Sequence, residues 1–163
     1  MHFQGDRAPC MPILPPGHKI QPMSKSDLEE VLKIERRSFQ KPWSAGQFES
    51  EIRNPVSRSF TLRIEQGGSP VLVAYIIFWV VHGEAHILNI AVKPEYRRMG
   101  IAAELLREAL EYMRGNMVFE VFLEARRSNA AARGLYAGFG FKEAYERKNY
   151  YGDEDAIVMT LEF

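Results

Sequence analysis

From Lys19 onward the chain alternates between strand-like and helix-like stretches, separated by clear breakers. Lys19 to Met23 reads as a short strand. Ser26 with Glu29 forms a capping box that predicts a helix to about Phe39. Pro42-Trp43 interrupts the pattern, and Ser44 with Gln47 caps a second helix to about Arg53, stopped by Pro55. Ser57 to Glu65 and Val71 to Val81 read as two strands joined by Gln66-Gly67-Gly68-Ser69, a hairpin signal. His82-Gly83 then turns the chain into a third strand, Glu84 to Val92.

Beyond the loop Lys93 to Met99, apolar residues recur at Ile101, Leu105, Leu106, Ala109 and Met113, with Glu104, Arg107, Glu108 and Glu111 on the other face. That spacing predicts an amphipathic helix ended by Gly115. Met117 to Glu124 is almost continuously apolar, as expected for a strand in the centre of a sheet. Ser128 to about Gly138 reads as a short helix, weakened by Gly134 and Gly138 to the point of leaving Tyr136 mobile. Phe141 to Lys148 and Ala156 to Glu162 close the chain as strands around a polar turn. The order β-α-α-β-β-β-α-β-α-β-β predicts a single layered α/β domain. Its mixed sheet is largely antiparallel, flanked by helices, with parallel pairing confined to the helix that starts near Gly100.

Composition narrows this picture. The chain has 163 residues, 46% hydrophobic and 26% charged, the balance of one globular domain with a real core. Residues 1–18 read as an appendage to a domain at 19–163, because Pro9, Pro12, Pro15 and Pro16 break any periodicity there. Phe3-Gln4-Gly5 reads equally as the remnant of a cleaved tag or as a native extension. Lys plus Arg, at 21, equals Asp plus Glu, at 21, so no overall field draws the protein to nucleic acid or a membrane. Any anion site must be local. One cysteine, Cys10, excludes an internal disulfide. No apolar run approaches the ~20 residues of a span, and the start lacks a signal-peptide core, so the expected compartment is the cytoplasm.

Local chemistry concentrates at Asn89 to Ala102, where an apolar strand ends, a basic loop follows and a helix begins. N–H groups at a helix start are unpaired and partially positive, which suits a phosphate. Gly100 permits close approach to the main chain, Ala102 keeps the next turn small, and Arg97 and Arg98 add charge. A solvated loop with two surface arginines is the competing reading. The segment has neither the Lys-Ser/Thr of a nucleotide P-loop nor the triple glycine of a dinucleotide fold. His82 and His86 flank Glu84 without the spacing of a helical zinc motif, so no metal is expected.

Arg97-x-x-Gly100-x-Ala102, preceded by Ile90-Ala91-Val92 and followed by an amphipathic helix, resembles the acyl-CoA motif of the GNAT N-acetyltransferase superfamily. The element order is also that of the GNAT fold, and the likeness covers about residues 19–163. Within the superfamily the chain is most similar to the ribosomal-protein-alanine N-acetyltransferase (RimI-type) family. Four stretches carry that likeness: Pro42-Trp43-Ser44, Asn89-Ile90-Ala91-Val92, Leu123-Glu124-Ala125-Arg126-Arg127-Ser128-Asn129-Ala130-Ala131, and Arg147-Lys148-Asn149-Tyr150-Tyr151 with Glu154-Asp155-Ala156.

The resemblance implies acetyl-CoA as co-substrate. Its pyrophosphate would lie on the main-chain N–H groups of Arg98, Met99, Gly100, Ile101, Ala102 and Ala103, with Arg97 adding charge beside them. The pantetheine arm would pair strand-fashion with Ile90, Ala91 and Val92, and Asn129 would contact the cofactor. Ala102 departs from the family's usual glycine. Glu124 is implied as general base and Tyr136 as the general acid that protonates the leaving thiolate. Trp43, Tyr150 and Tyr151 are candidates for the acceptor side. Read without the family, Glu124 is a solvated strand end, Tyr136 and Trp43 are packing residues, Asn129 is a helix cap, and the tyrosine pair is cross-strand packing.

The chemistry favours an N-terminal amine. An amine attacks a thioester only when neutral, and an α-amine near pKa ~8 deprotonates more readily than a lysine near ~10.4. The implied acceptor is a protein N-terminus, the alanine of a small-subunit ribosomal protein. Acetylation of lysine or a small amine is the nearer alternative. A non-catalytic acyl-CoA-binding module is the alternative of another class, but would need neither Glu124 nor Tyr136.

Overall fold

The computed structural model describes Leu14 and residues 16–163, so the proline-rich start assigned to the appendage lies mostly outside the described residues. The chain runs β1 (Lys19–Pro22), α1 (Leu28–Ser38), α2 (Ala45–Arg53), β2 (Ser57–Gln66), β3 (Ser69–Val81), β4 (Glu84–Val92), α3 (Ile101–Gly115), β5 (Glu120–Arg126), α4 (Ala130–Gly138), β6 (Lys142–Arg147) and β7 (Ala156–Glu162). The seven strands form one sheet in the order β1-β2-β3-β4-β5-β7-β6. Every pairing is antiparallel except β4 with β5, the two strands that α3 connects. The expected mixed α/β architecture and element order hold.

Two layers of helices sandwich the sheet. On one face α3 supplies Ile101, Leu105, Leu106, Ala109, Leu110 and Met113 to a core that also takes Tyr136 of α4. On the other, Leu28, Val31 and Ile34 of α1 and Phe48 of α2 meet Leu72, Tyr75, Ile77 and Ala91. Strand β3 is buried on both sides from Leu72 to Phe78, which explains the centre of its unbroken apolar run from Val71 to Val81.

Three local expectations change. The first capping box is Ser24 with Asp27, not Ser26 with Glu29: Asp27 Oδ2 accepts the Ser24 N–H at 2.8 Å, and Arg63 Nη2 reaches Oδ1 at 2.6 Å. That ion pair comes from β2 and holds Asp27 buried, a tertiary contact that local spacing does not reveal. Met117 is not in a strand. It adopts φ 59° as the residue that ends α3, with Met117 N–H on Arg114 O at 3.2 Å and Val118 N–H on Met113 O at 3.1 Å. The strand therefore starts later, at Glu120. Finally, α4 is a regular helix whose Tyr136 is buried, so the two glycines do not loosen it.

One feature of the sheet sets up the site. Strands β4 and β5 pair only from Glu84 with Glu120 to Ile87 with Leu123. On the β3 side, Ile77 faces Asn89 while Phe78 faces Ile87, so Leu88 is an extra residue that bulges β4 at the point where pairing with β5 stops. Beyond it the two strands splay apart, leaving a notch between Leu88–Val92 and Glu124–Arg126. Among the described residues, no helix is long and apolar enough to cross a membrane.

Candidate active site

The notch is floored at one end by the start of α3. Gly100 caps that helix with φ 80°, a left-handed conformation that a side chain at this position would strain. Arg98 is also left-handed, at φ 62°. Left-handed residues alternating in a loop turn successive N–H groups toward one side, the geometry of an anion nest. The N–H groups of Ile101, Ala102 and Ala103 have no acceptor within the helix they open. Small Ala102 and Ala103 keep the first turn approachable, and the exposed Arg98 guanidinium forms no ion pair among the described residues. The donor set fits a phosphate-bearing ligand.

Arg97 behaves differently from its neighbour. Its Nε donates to Val92 O at 3.0 Å and its Nη2 to Ser38 Oγ at 3.1 Å, so its charge ties the loop to β4 and α1. Arg37 pairs with Glu95 at 2.6 Å and pins the same loop from α1. Above the loop, Ile90, Ala91 and Val92 turn their side chains into the two cores. Their main chain forms the unpaired edge that faces β5.

Across the notch, Glu124 is held by His86 and Arg147. Its Oε2 lies 2.6 Å from His86 Nε2, and its Oε1 accepts from Arg147 Nη1 at 2.9 Å. Burial pushes the Glu124 carboxyl up, but the hydrogen bonds and charges of His86 and Arg147 outweigh it and hold it below its ordinary 4.5. The group is thus a carboxylate at neutral pH. His86 is fixed by stacking on Phe122, with centroids 4.4 Å apart, and by an edge contact with Trp79. Arg147 lies over the Tyr150 ring at 4.4 Å, linking Glu124 to the β6–β7 loop.

Tyr136 approaches from the α4 side. Its ring packs against Phe141 at 5.8 Å, and its hydroxyl has no hydrogen-bond partner among the described residues. Burial, with Tyr151 nearby, raises this phenol well above 10, so it keeps its proton at neutral pH. Tyr150 and Tyr151 form an edge-to-face pair at 5.0 Å. Burial and then Tyr150 push Tyr151 up to about 12, while Arg126 lies over its ring at 4.3 Å. Asn129 caps α4, its Oδ1 accepting from Ala132 N–H at 3.1 Å. Trp43 stands apart: its ring packs on Phe48 at 5.3 Å, and no hydrogen bond or ring contact joins it to Glu124, Tyr136 or the tyrosine pair.

Three residues to which the sequence reading gave no role at this site belong to this region. His86 and Arg147 grip Glu124 directly. Glu35, in α1, is 1% exposed and accepts from Trp43 N–H at 2.8 Å, Asn89 Nδ2 at 3.1 Å and the Tyr75 hydroxyl. It thereby ties the α1–α2 connection to the bulged stretch of β4. A signal for it existed: Glu35 sits four residues after Val31, on the apolar stripe of α1. Among the described residues, no three His, Cys, Asp or Glu side chains converge as a metal site.

A split sheet, with a helix start whose donors suit an anion on one side and a carboxylate and a protonated phenol on the other, has the groups that acyl transfer would use. Known proteins agree: the family model described as the Acetyltransferase (GNAT) family matches residues 28–141, and the chain belongs to that family as an acetyl-CoA-dependent N-acetyltransferase. It is 39% identical over 146 residues to the [ribosomal protein bS18]-alanine N-acetyltransferase of Escherichia coli strain K12, covering 87% of this chain and 95% of that protein. The crystal structure of the ribosomal-protein-S18-alanine N-acetyltransferase from E. coli superposes with a TM-score of 0.80 at 38% identity, covering 89% and 93% of the two chains. That of Ard1 from Thermoplasma volcanium gives 0.81 at 27% identity, covering 90% and 97%.

Proposed function

We propose that the protein acetylates the N-terminal amine of a polypeptide, and that its acceptor is the N-terminal alanine of ribosomal protein bS18. The observation that supports this acceptor is the 39% identity, over nearly the whole of each chain, to the E. coli enzyme named for that substrate. The catalytic domain in this reading is residues 19–163, and a ribosomal acceptor implies action in the cytoplasm.

Acetyl-CoA supplies an activated acetyl group as a thioester. Arg98 to Ala103 hold its pyrophosphate on main-chain N–H groups, and the open edge at Ile90 to Val92 pairs with its pantetheine arm. Asn129 keeps its Oδ1 on the helix cap and offers only its amide N–H₂ to the cofactor. Glu124 takes the proton that the ammonium must lose, directly or through a water, and His86 orients the carboxylate that receives it. Both Glu124 oxygens are engaged, so Arg147 or His86 yields one of them as the amine arrives. Tyr136, protonated at working pH, donates to the departing sulfur. Tyr150 and Tyr151 line the acceptor side, and Trp43 supports it by fixing the α1–α2 connection.

Peptides differing only in their first residue test the acceptor. An alanine N-terminus is expected to give the highest kcat/KM. Equal rates for all first residues, or faster acetylation of internal lysines, would contradict the reading. CoA binding with no release of thiol from any peptide would favour a binding module.

A further inference from the structure

The sheet has one half-face that no helix covers. The layer built by α1 and α2 ends at β4: no residue of β5, β6 or β7 belongs to that core. On the same face, Trp79 at the edge of that layer, where its Nε1 donates to Glu51 of α2 at 2.7 Å, is followed across the sheet by His86, Phe122 and Thr160 in a half-buried floor, with Tyr145, 62% exposed, on the rim. The floor is continuous with the active site, because Phe122 precedes Glu124 by two residues on β5 and so shares its face.

Strand register gives this face its charge. Glu84 of β4 lies opposite Glu120 of β5, and Glu120 lies opposite Glu162 of β7. Paired residues point to the same side, so the three carboxylates form one row across adjacent strands. Among the described residues, none of the three makes an ion pair, although most other acidic side chains of the domain do. Lys142, on edge strand β6 opposite Thr160, is the cation that register brings diagonally toward Glu162. Like charges directly opposite each other cost stability, so a row in which none of the three carboxylates forms an ion pair is a feature that folding alone disfavours.

We propose that this face is the docking surface for the acceptor polypeptide beyond its first residues, and that it selects a cationic segment. The proposal rests on the acceptor being a polypeptide N-terminus. Glu120 lies four residues from Glu124 along β5, about 13 Å at strand spacing. An extended chain advances ~3.3–3.6 Å per residue. An amine seated at Glu124 therefore delivers roughly the fourth to sixth acceptor residue to the carboxylate row. Lysine or arginine there meets the row, with its stem on Phe122 and Trp79, while the amine end is handled by the groups already described.

The test uses alanine-initiated peptides of about ten residues carrying lysine or neutral side chains at positions four to six, plus a peptide cut before them. These are assayed with the wild-type protein and with a Glu84→Gln, Glu120→Gln, Glu162→Gln triple variant. For the wild type, lysine is expected to raise kcat/KM up to about fivefold per well-placed pair, an advantage that fades as salt is added. In the triple variant the advantage disappears, the short peptide is acetylated as before, and thermal stability does not fall because repulsion is relieved. No lysine preference in the wild type, or the same preference in the variant, overturns the proposal. So does a variant that changes only its oligomeric state, which would assign the face to a second copy of the chain. If even the short peptide is not acetylated by the wild type, the acceptor reading itself fails, and the docking proposal falls with it.

Discussion

Replacing Tyr136 with phenylalanine separates its two roles, because in the structure the ring is packed while the hydroxyl is not hydrogen-bonded. The ring is 6% exposed and packs with Phe141 in the main core, whereas the hydroxyl has no hydrogen-bond partner among the described residues. Tyr136→Phe is therefore expected to change unfolding free energy by less than about 0.5 kcal/mol, while Tyr136→Ala opens a cavity and costs about 3–5 kcal/mol. Activity should move the other way. Loss of a general acid costs about 10²–10⁴-fold, and a thiol leaving group with a pKa near ~8.5 depends less on that acid than an alcohol would. The expected fall in kcat for Tyr136→Phe is thus about 10²-fold, with an unchanged melting temperature. Thiol release from acetyl-CoA, followed beside thermal unfolding, reads both quantities. An unchanged kcat would refute the general-acid role, and a clear drop in melting temperature would show that the hydroxyl has a structural partner. The raised pKa adds a sign. Burial favours the neutral phenol, so its contribution is intact below about pH 10 and is lost as pH rises through the folded value; Tyr136→Phe should be less sensitive to alkali.

Glu124→Gln should reduce kcat/KM by about 10²-fold or more. Since the folded carboxyl lies below 4.5, its stabilisation is present at neutral pH and lost as pH falls toward and through the folded value, so the variant's melting temperature should vary less between about pH 5 and pH 3 than that of the wild type. Glu35→Ala strands Tyr75, Asn89 and the Trp43 N–H and should cost about 3 kcal/mol or more, a fall near 10 °C in melting temperature at ~2–4 °C per kcal/mol; an unchanged melting temperature would mean that this network is not needed for stability. Gly100→Ala places a side chain at φ 80° and should cost about 1–2 kcal/mol while raising KM for acetyl-CoA with little effect on KM for the peptide.

Much of the fold is legible where local pattern and tertiary environment agree. Strands β4 and β7 begin and end where alternation and turn residues place them, and Ser44 caps α2 through Gln47. The failures share a cause. Asp27 takes over the first capping box because Arg63, from β2, reaches it, and Met117 leaves the strand because the end of α3 requires a left-handed residue there. At the proposed site, Glu124 and Tyr136 are assigned through motif likeness. The grip on Glu124 is not legible, since His86 and Arg147 lie 38 and 23 residues away in sequence and are brought in by strand register and the β6–β7 hairpin. The row Glu84, Glu120 and Glu162 is invisible for the same reason: each is an ordinary acidic strand end until pairing aligns them.

The most direct test offers the enzyme one peptide with a free N-terminal alanine and an internal lysine, together with acetyl-CoA, and locates the transferred group by fragmentation mass spectrometry. The account predicts a single acetyl group on the alanine α-amine, formed by the wild type and strongly suppressed in Glu124→Gln. An acetyl group on the lysine, or equal yield from the variant, would contradict it.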